Sequence, residues 1–508
     1  MLRRVKTARL TVLGMVISLL WHPNAIGQET APTLQPLAEQ NPQDISMIAI
    51  MPTLTSQVAP ATLSVDKIAE IDAYLNAYDE TGRLSGNVII THGAEPAFIR
   101  SYGLANREHT VANAPATKFR IGSITKQFTA VAILQLQEQG LVDVQAPIAT
   151  YLPDYPNGDR ITLHHLLTHT SGIPEYLSGE NFPDIAEWMR LPSTPEQLVE
   201  RFQDLPLDFT PGEAFKYSNS GYVLLTHILE VVSGQPYADY VQTNIFSPLA
   251  MNNTGYEIPN AVITNLAQGY IFIGPDLYLQ TEPIDMSLPQ GAGCLYSTLE
   301  DLATWNQWLY GTAAAQSILS KDSITLLTTP AAQMDTPEYF PDTFYSYGLV
   351  NDSYLGRQRI HHNGGINGFL SSLIQYPEED LTIAVLLNLD NQPPTPITDG
   401  LAAILFDEPY TMPQAPEAVD IDPALYEKYV GLYQLLPELQ VNLWIEDNQL
   451  VGQATGQDAF VLYPSSETEF FAKIVDITVA FSLGEDGTVE GFTLTQLGQD
   501  LFAPKLDR

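Results

Sequence analysis

Short segments rich in apolar residues occur as two pairs that lie far apart in the chain. Residues 86–92 and 96–102 flank Gly93-Ala94-Glu95, and residues 369–375 and 381–388 flank a polar turn at 377–380. Two such segments joined by a short turn are typical of a β-hairpin. The sequence therefore predicts one hairpin before, and one after, the long middle part of the chain.

Between the hairpins, apolar residues recur every three to four positions. Two such runs, Ile124–Gln139 and Tyr222–Ser233, are each followed by a glycine, which commonly ends a helix. A further helix is predicted to begin near Ser64, ahead of the first hairpin. We therefore expect an α/β domain, in which one antiparallel sheet is flanked by helices and carries a helix-rich insertion.

The pattern changes after Phe406, where an acidic, proline-containing stretch begins. Beyond it, apolar residues alternate on both sides of Asp447-Asn448, and again around Asp486-Gly487. These features predict a separate, small all-β C-terminal sheet or barrel. We place the domain boundary so that the first domain covers residues 64–412 and the second covers 413–508.

The N-terminus has the pattern of an export signal. Four basic residues precede the apolar run Leu10–Trp21, and Ala25-Ile26-Gly27 offers small residues for cleavage. The run is shorter than the roughly 20 residues that a membrane-spanning helix needs, so an uncleaved anchor is the weaker alternative. We expect residues 1–27 to be a signal peptide, 28–63 to be a flexible Pro-rich linker, and the mature chain to be periplasmic or secreted with no membrane span.

Charge and cysteine content exclude several kinds of protein. The 508 residues include 22 basic and 59 acidic ones, which gives a net charge of −37, so nucleic acid is not an expected partner. The single cysteine, Cys294, allows neither an internal disulfide nor a two-cysteine metal site. His165 and His169 lack a third ligand in a recognisable pattern, and we predict no metal and no cofactor.

Ser123 and Lys126 are the first candidates for chemistry. They lie three residues apart at the start of a predicted helix, and therefore on one face of it. A serine hydroxyl becomes a good nucleophile only when a nearby base takes its proton, and a lysine can serve if its pKa is lowered. Spacing alone is weak evidence, since Ser64 and Lys67 have the same spacing and are predicted to form only a helix cap.

Two further motifs follow in the chain. Tyr217-Ser218-Asn219 offers a phenol for proton transfer and an amide that can hold a substrate carbonyl. His362-Asn363-Gly364-Gly365 precedes a predicted strand, and its glycines let the backbone approach a ligand closely.

In this order the three motifs resemble those of penicillin-recognising serine enzymes. The chain is similar to the class C β-lactamase, D-alanyl-D-alanine carboxypeptidase and family VIII esterase group. The stretch Tyr429-Val430-Gly431-Leu432-Tyr433 resembles the lipocalin-like domain often appended to these enzymes. The resemblance implies a β-lactamase/transpeptidase-like fold followed by a small β-barrel.

The resemblance also implies roles for individual residues. Ser123 would be the nucleophile, Lys126 and Tyr217 a coupled base, and Asn219 a substrate or lysine contact. The backbone N–H groups of Ser123 and Gly365 would form an oxyanion hole. Because tyrosine and lysine are both protonated at pH 7 at their ordinary pKa values of about 10, we expect each to lower the pKa of the other.

One departure from the family concerns the substrate. Where the lactamases have Lys-Thr-Gly, this chain has His362-Asn363-Gly364, and a histidine is mostly neutral at pH 7. Three substrate classes stay open: esters or other acyl compounds, D-amino-acid peptides including cell-wall peptide, and β-lactams. A non-catalytic penicillin-binding-like protein and a metallo-hydrolase are the remaining alternatives, and the sequence does not indicate an oligomeric state.

Overall fold

The computed structural model describes residues 63–506, apart from positions 94, 179–181, 183, 259–260, 275–276, 312–317, 335–341, 414–416, 437–438, 458, 474–476, 485 and 497–498. The predicted signal peptide over 1–27 and the predicted linker up to residue 62 lie outside these residues. In the part of the chain that is described, no helix combines the length and the apolar character needed to cross a membrane.

The first helix begins where the sequence predicts it. Ser64 accepts a hydrogen bond from the backbone N–H of Lys67 at 3.1 Å, which caps the helix. The α-helices of the described residues are α1 Val65–Glu80, α2 Thr125–Glu138, α3 Leu163–Leu167, α4 Ile185–Trp188, α5 Pro195–Phe202, α6 Asn219–Ser233, α7 Tyr237–Val241, α8 Leu299–Tyr310, α9 Lys321–Thr328, α10 Thr395–Leu405 and α11 Tyr426–Tyr429.

The strands of the first domain in the described residues are β1 Gly86–His92, β2 Glu95–Tyr102, β3 Leu104–Asn106, β4 Val111–Ala112, β5 Phe119–Arg120, β6 Gly255–Tyr256, β7 Tyr270–Gly274, β8 Leu277–Gln280, β9 Leu295–Ser297, β10 Ala332–Gln333, β11 Phe344–Tyr345, β12 Val350–Tyr354, β13 Arg357–Ile366, β14 Phe369–Tyr376 and β15 Leu381–Leu387. An eight-stranded antiparallel sheet forms the centre of this domain, with strand order β10-β11-β12-β13-β14-β15-β1-β2. Gly86 at the start of β1 pairs with Leu387 at the end of β15, so the two predicted hairpins lie side by side and the predicted single sheet is confirmed.

The sheet has a hydrophobic core on each face. Ala384 and Leu386 pack into the larger core, which also contains residues of α2, α6 and α8. Ile383 and Val385 point to the other face and pack against α1 and α10. Burial on both faces explains why β15 is a continuous apolar run rather than an alternating one.

The C-terminal domain is a nearly closed antiparallel barrel of eight strands, which confirms the predicted small all-β barrel. The first and last strands meet through a bridge between Tyr433 and Lys505, and the N–H of Leu506 donates to the carbonyl of Leu432 at 2.8 Å. Aromatic side chains fill the interior, where the rings of Tyr429 and Phe481 stack at 4.1 Å. The barrel strands are β16 Gly431–Leu436, β17 Leu439–Glu446, β18 Gln449–Ala454, β19 Phe460–Pro464, β20 Glu469–Ala472, β21 Ile477–Leu483, β22 Val489–Gln496 and β23 Gln499–Pro504.

Candidate active site

Ser123 lies in a single 3-10 turn, Gly122–Ile124, that connects β5 to α2. The sequence predicts a helix from Ile124, and the structure adds this tighter turn ahead of it. Gly122 adopts a φ of +49°, and a Cβ atom there would lie 2.7 Å from the backbone nitrogen of Gly365. A glycine is therefore required at position 122, both for the backbone conformation and for the close approach of β13.

Lys126 lies one helical turn after Ser123, and its side chain is fully buried. Its Nζ atom is 3.0 Å from Ser123 Oγ, 2.7 Å from Asn219 Oδ1 and 2.9 Å from the carbonyl oxygen of Ala292. The amide and backbone oxygens can only accept hydrogen bonds, whereas the serine hydroxyl can also donate one. A charged ammonium group can donate to all three oxygens, whereas a neutral amine donates to the two carbonyl oxygens and directs its lone pair at the Ser123 hydroxyl.

Burial lowers the pKa of Lys126 from its ordinary value to about 7, and the charge of Glu175 partly opposes this shift. Desolvation disfavours the protonated amine more than the neutral one. At pH 7 a large fraction of the molecules therefore carries a neutral Lys126 next to the serine hydroxyl. The predicted fall in the lysine pKa is confirmed, but its main cause is burial rather than the field of a tyrosine.

Tyr217 faces the same serine from the other side. Its hydroxyl is hydrogen-bonded to Ser123, and its ring lies 4.8 Å from Lys126 Nζ. Burial raises the pKa of Tyr217 above its ordinary value, and the charge of Glu175 raises it further. The expectation that the pKa of this tyrosine is lowered was wrong, because its phenol is desolvated and the neighbouring amine is not a permanent cation. Tyr217 is consequently a neutral phenol at pH 7.

Asn219 is the first residue of α6, which begins three residues earlier than the sequence predicts. Its N–H donates to Glu175 Oε2 at 2.5 Å, and Glu175 Oε1 accepts from the N–H of Leu177 at 2.9 Å. The Ser218 side chain makes no capping hydrogen bond. A carboxylate from a distant segment thus meets the helix N-terminus, and local sequence patterns contain no sign of such a contact.

His362 lies on β13 with its imidazole buried. Its Nδ1 atom donates to the carbonyl of Asn363 at 2.5 Å, and its Nε2 atom accepts from the hydroxyl of Tyr345 at 3.0 Å. Burial lowers the pKa of His362 to about 3, and the charge of Lys126 contributes to the shift. The imidazole is therefore neutral, and both of its nitrogens are held by the protein itself.

The rest of this motif brings backbone close to the serine turn. A Cβ atom on Gly364 would lie 2.0 Å from the carbonyl oxygen of Ile121, so only glycine fits there. Gly365 is exposed, and its backbone nitrogen lies against Gly122. Asn363 reaches Thr395 Oγ1 at 3.5 Å. The structure thus brings the three sequence motifs together around Ser123.

His169, for which the sequence predicts no metal, packs against Tyr217 with a ring separation of 4.2 Å. Its Nδ1 atom accepts from the N–H of Ser218 at 3.1 Å, and burial lowers its pKa well below the ordinary value. His165 completes a capping box with Thr162 at the start of α3. No group of three or more histidine, cysteine or acidic side chains that could hold a metal occurs within the described residues.

The second Ser-x-x-Lys pair serves the fold, as the sequence predicts. Lys67 Nζ pairs with Asp407 at 2.7 Å and with Glu70 at 3.4 Å, and the hydrogen bond that Lys67 donates to Asp407 raises the pKa of the lysine. Ser64 therefore has a charged ammonium group nearby, bound to carboxylates, instead of a base. Lysines at equal spacing from a serine therefore differ at pH 7, because Lys67 is charged while a large fraction of Lys126 is neutral.

The sequence motifs did not identify Glu175 or Tyr345 as parts of this site. Each contacts a motif residue from another element, so spacing within a motif carries no signal for it. Glu175 is distinguished from most other acidic residues only by its burial in the structure, where 7% of its surface is exposed.

Comparisons with known proteins agree with this architecture. The family model described as beta-lactamase matches residues 69–407, and one described as a domain of unknown function (DUF3471) matches residues 415–505. Penicillin-binding protein 4* of Bacillus subtilis (strain 168) is 30% identical over 454 residues, which are 86% of this chain and 98% of that protein.

Two solved structures are also similar. The octameric penicillin-binding protein homologue from Pyrococcus abyssi has 26% identity and a TM-score of 0.60, and the match covers 86% of this chain and 99% of that one. The D-stereospecific amidohydrolase from Streptomyces sp. has 28% identity and a TM-score of 0.54, with 63% of this chain and 94% of that one covered.

Proposed function

The chain belongs to the beta-lactamase family of serine hydrolases, and on that premise we propose that it hydrolyses an ester or amide through an acyl intermediate on Ser123. The observation that carries the proposal is the set of neighbours around Lys126. Lys126 Nζ lies 3.0 Å from Ser123 Oγ and within hydrogen-bond distance of two carbonyl oxygens, so when the amine is neutral it donates to these carbonyls and its lone pair is directed at the serine. A neutral amine in this position is a general base for the serine.

The proposed reaction has two halves. Ser123 Oγ attacks the substrate carbonyl carbon while its proton passes to Lys126 Nζ, and the N–H groups of Ser123 and Gly365 hold the resulting oxyanion. When the intermediate collapses, the bond to the leaving group breaks and Tyr217 relays a proton to that group. Water then attacks the acyl-enzyme, with Lys126 and Tyr217 again moving the proton, and Ser123 is released.

The substrate proposed here lacks a carboxylate next to the reacting bond. A cation at the first position of the His362 motif would hold such a carboxylate, but His362 is buried, neutral and engaged with Tyr345 and the Asn363 carbonyl. In this proposal His362 and Asn363 determine the shape of the site, and neither binds the substrate through a charged group. Esters and uncharged amides fit this site better than β-lactams or peptides with a free C-terminus.

D-amino-acid amides form the second candidate class. The D-stereospecific amidohydrolase from Streptomyces sp. shares 28% identity with the chain, and amides of this kind also lack the adjacent carboxylate. We propose in addition that the protein is exported, because basic residues precede an apolar run within residues 1–27.

A panel of chromogenic substrates tests the assignment. We expect turnover of short-chain nitrophenyl esters, turnover of D-alanine nitroanilide above that of the L-isomer, and little turnover of a chromogenic cephalosporin. Ser123→Ala is expected to abolish all of these activities. Efficient cephalosporin hydrolysis with no ester turnover would overturn the proposed substrate class, and a wild type inactive on every compound would favour a non-catalytic binding protein.

A further inference from the structure

The short segment Pro174–Leu177 holds the first turn of α6. Besides the bond from the Asn219 N–H to Glu175, the N–H of Tyr176 donates to Ser220 Oγ at 2.9 Å, and Ser220 Oγ donates to the carbonyl of Pro174 at 2.6 Å. These contacts fix the backbone of Asn219. The orientation of its side chain toward Lys126 therefore depends on this segment.

The same segment also contacts the second carbonyl neighbour of Lys126. The hydroxyl of Tyr176 donates to the carbonyl of Leu288 at 2.9 Å, just before the 3-10 turn Gln290–Ala292. The carbonyl of Ala292 accepts from Lys126. One buried segment is thus joined to both of the chain stretches that hold the lysine amine.

Glu175 is the charged group whose field opposes the effect of burial on Lys126. The other titratable groups around the amine are the rings of Tyr217 and Tyr222, at 4.8 and 5.4 Å, and the histidines His169 and His362. Burial keeps both phenols protonated and both imidazoles neutral at pH 7.

We propose that Glu175 is a positioning residue for acylation, which holds Asn219 against Lys126 and keeps a negative charge beside the amine. This inference rests on the proposed function, because it concerns the base of that reaction. The negative charge keeps the base strong enough to take the serine proton, and without it burial alone would make the amine a weaker base.

The test is the pH profile of covalent labelling of Ser123 by a fluorophosphonate, measured by intact mass from pH 5 to 9. In the wild-type protein we expect the rate to rise with a midpoint near the Lys126 pKa of about 7. In Glu175→Gln the midpoint should move to lower pH by on the order of one unit, and the plateau rate should fall about tenfold. A residue that merely supports the fold would lower the rate at every pH without moving the midpoint.

Glu230→Gln is the matched control. Glu230 also accepts a backbone N–H at a helix start, that of Tyr237 at 2.8 Å, but it has no contact with Lys126. Its profile should match the wild type. Glu175→Asp keeps the charge but shortens the reach, so its midpoint should stay near the wild-type value while its plateau falls.

The outcomes separate the two proposals. A labelled wild type with an unshifted midpoint in Glu175→Gln overturns the role of Glu175 alone. Absence of labelling in the wild type, or equal labelling in Ser123→Ala, overturns the proposed function itself. If Glu175→Gln does not fold, the test uses Glu175→Asp instead. A Glu175→Asp profile with the wild-type plateau rate, or with a midpoint displaced from that of the wild type, contradicts the inference.

Discussion

Lys126 shows how burial gives a common side chain an unusual property. Lys126 is fully buried and makes no ion pair with a carboxylate of the described residues, so it is driven toward its neutral form, whereas Lys67, bound to two carboxylates, stays charged. Both residues follow a serine by three positions. The sequence could predict the pairing of Ser123 with Lys126 from the spacing, but the protonation state depends on packing by residues from three other parts of the chain.

The stability of the protein should depend on pH through this lysine. In the folded protein the Lys126 pKa is about 7, against 10.5 as the ordinary value, so the unfolded chain binds more protons between these pH values. The contribution of Lys126 to stability is then fully present only above about pH 10.5 and is lost as the pH falls to about 7. This loss is on the order of 4 kcal/mol.

Lys126→Met should remove this dependence, and it should slow labelling of Ser123 by about a thousandfold because the general base is missing. The measurement is the free energy of unfolding of the variant minus that of the wild type, from denaturant titrations at pH 7 and pH 10. This difference should be more positive at pH 7 than at pH 10, because burial of Lys126 destabilises the wild type most where the unfolded lysine is protonated. Lys67→Met is the control, and an identical pH trend in both variants would contradict the account.

Among the structural elements, the contact between the serine turn and β13 determines the geometry of the site. The turn at Gly122 approaches Gly365 so closely that a methyl group would overlap the strand backbone. The apolar segments that flank short turns and the helical patterns were sufficient to predict β1, β2, β14, β15 and α2. They could not predict the start of α6, because its capping carboxylate comes from a segment that precedes it by more than forty residues.

Gly122→Ala tests this contact, with Gly140→Ala as its control. Both glycines have positive φ angles, +49° and +73°, but a Cβ atom on Gly140 meets nothing within 4 Å. Gly140→Ala should cost only the conformational strain of about 1 kcal/mol. Gly122→Ala should cost about 2 kcal/mol more and slow Ser123 labelling at least a hundredfold. Thermal unfolding and labelling rates measure both, and equal behaviour of the two variants would refute the argument.

At the level of the whole molecule, the chain combines a two-sided sheet domain with a barrel that has its own aromatic core. The alternation around Asp447 and Asn448 was sufficient to predict the barrel hairpin, because both residues adopt the positive φ angles that such a tight turn needs. The closure of the barrel depends on pairing between its first and last strands, and no local pattern specifies that pairing.

The separate cores lead to a prediction about unfolding. Phe481→Ala should destabilise the barrel by about 3–5 kcal/mol, since this ring packs against Tyr429, Phe470 and Phe492. Calorimetry should show a lowered transition for the barrel, while Ser123 is still labelled at the wild-type rate. Phe502→Ala, at a ring that is 53% exposed, is the control and should change little. Loss of labelling in Phe481→Ala alone would show that the barrel supports the active site.

The central claim is that Ser123 is a nucleophile activated by Lys126, and the chain contains its own control in Ser64. The most direct measurement is peptide mapping of the protein after treatment with a fluorophosphonate at pH 8. We predict one adduct, on Ser123, with Ser64 unmodified, and loss of that adduct in Ser123→Ala but not in Ser64→Ala. Labelling of both serines, or an adduct that persists in Ser123→Ala, would contradict the account.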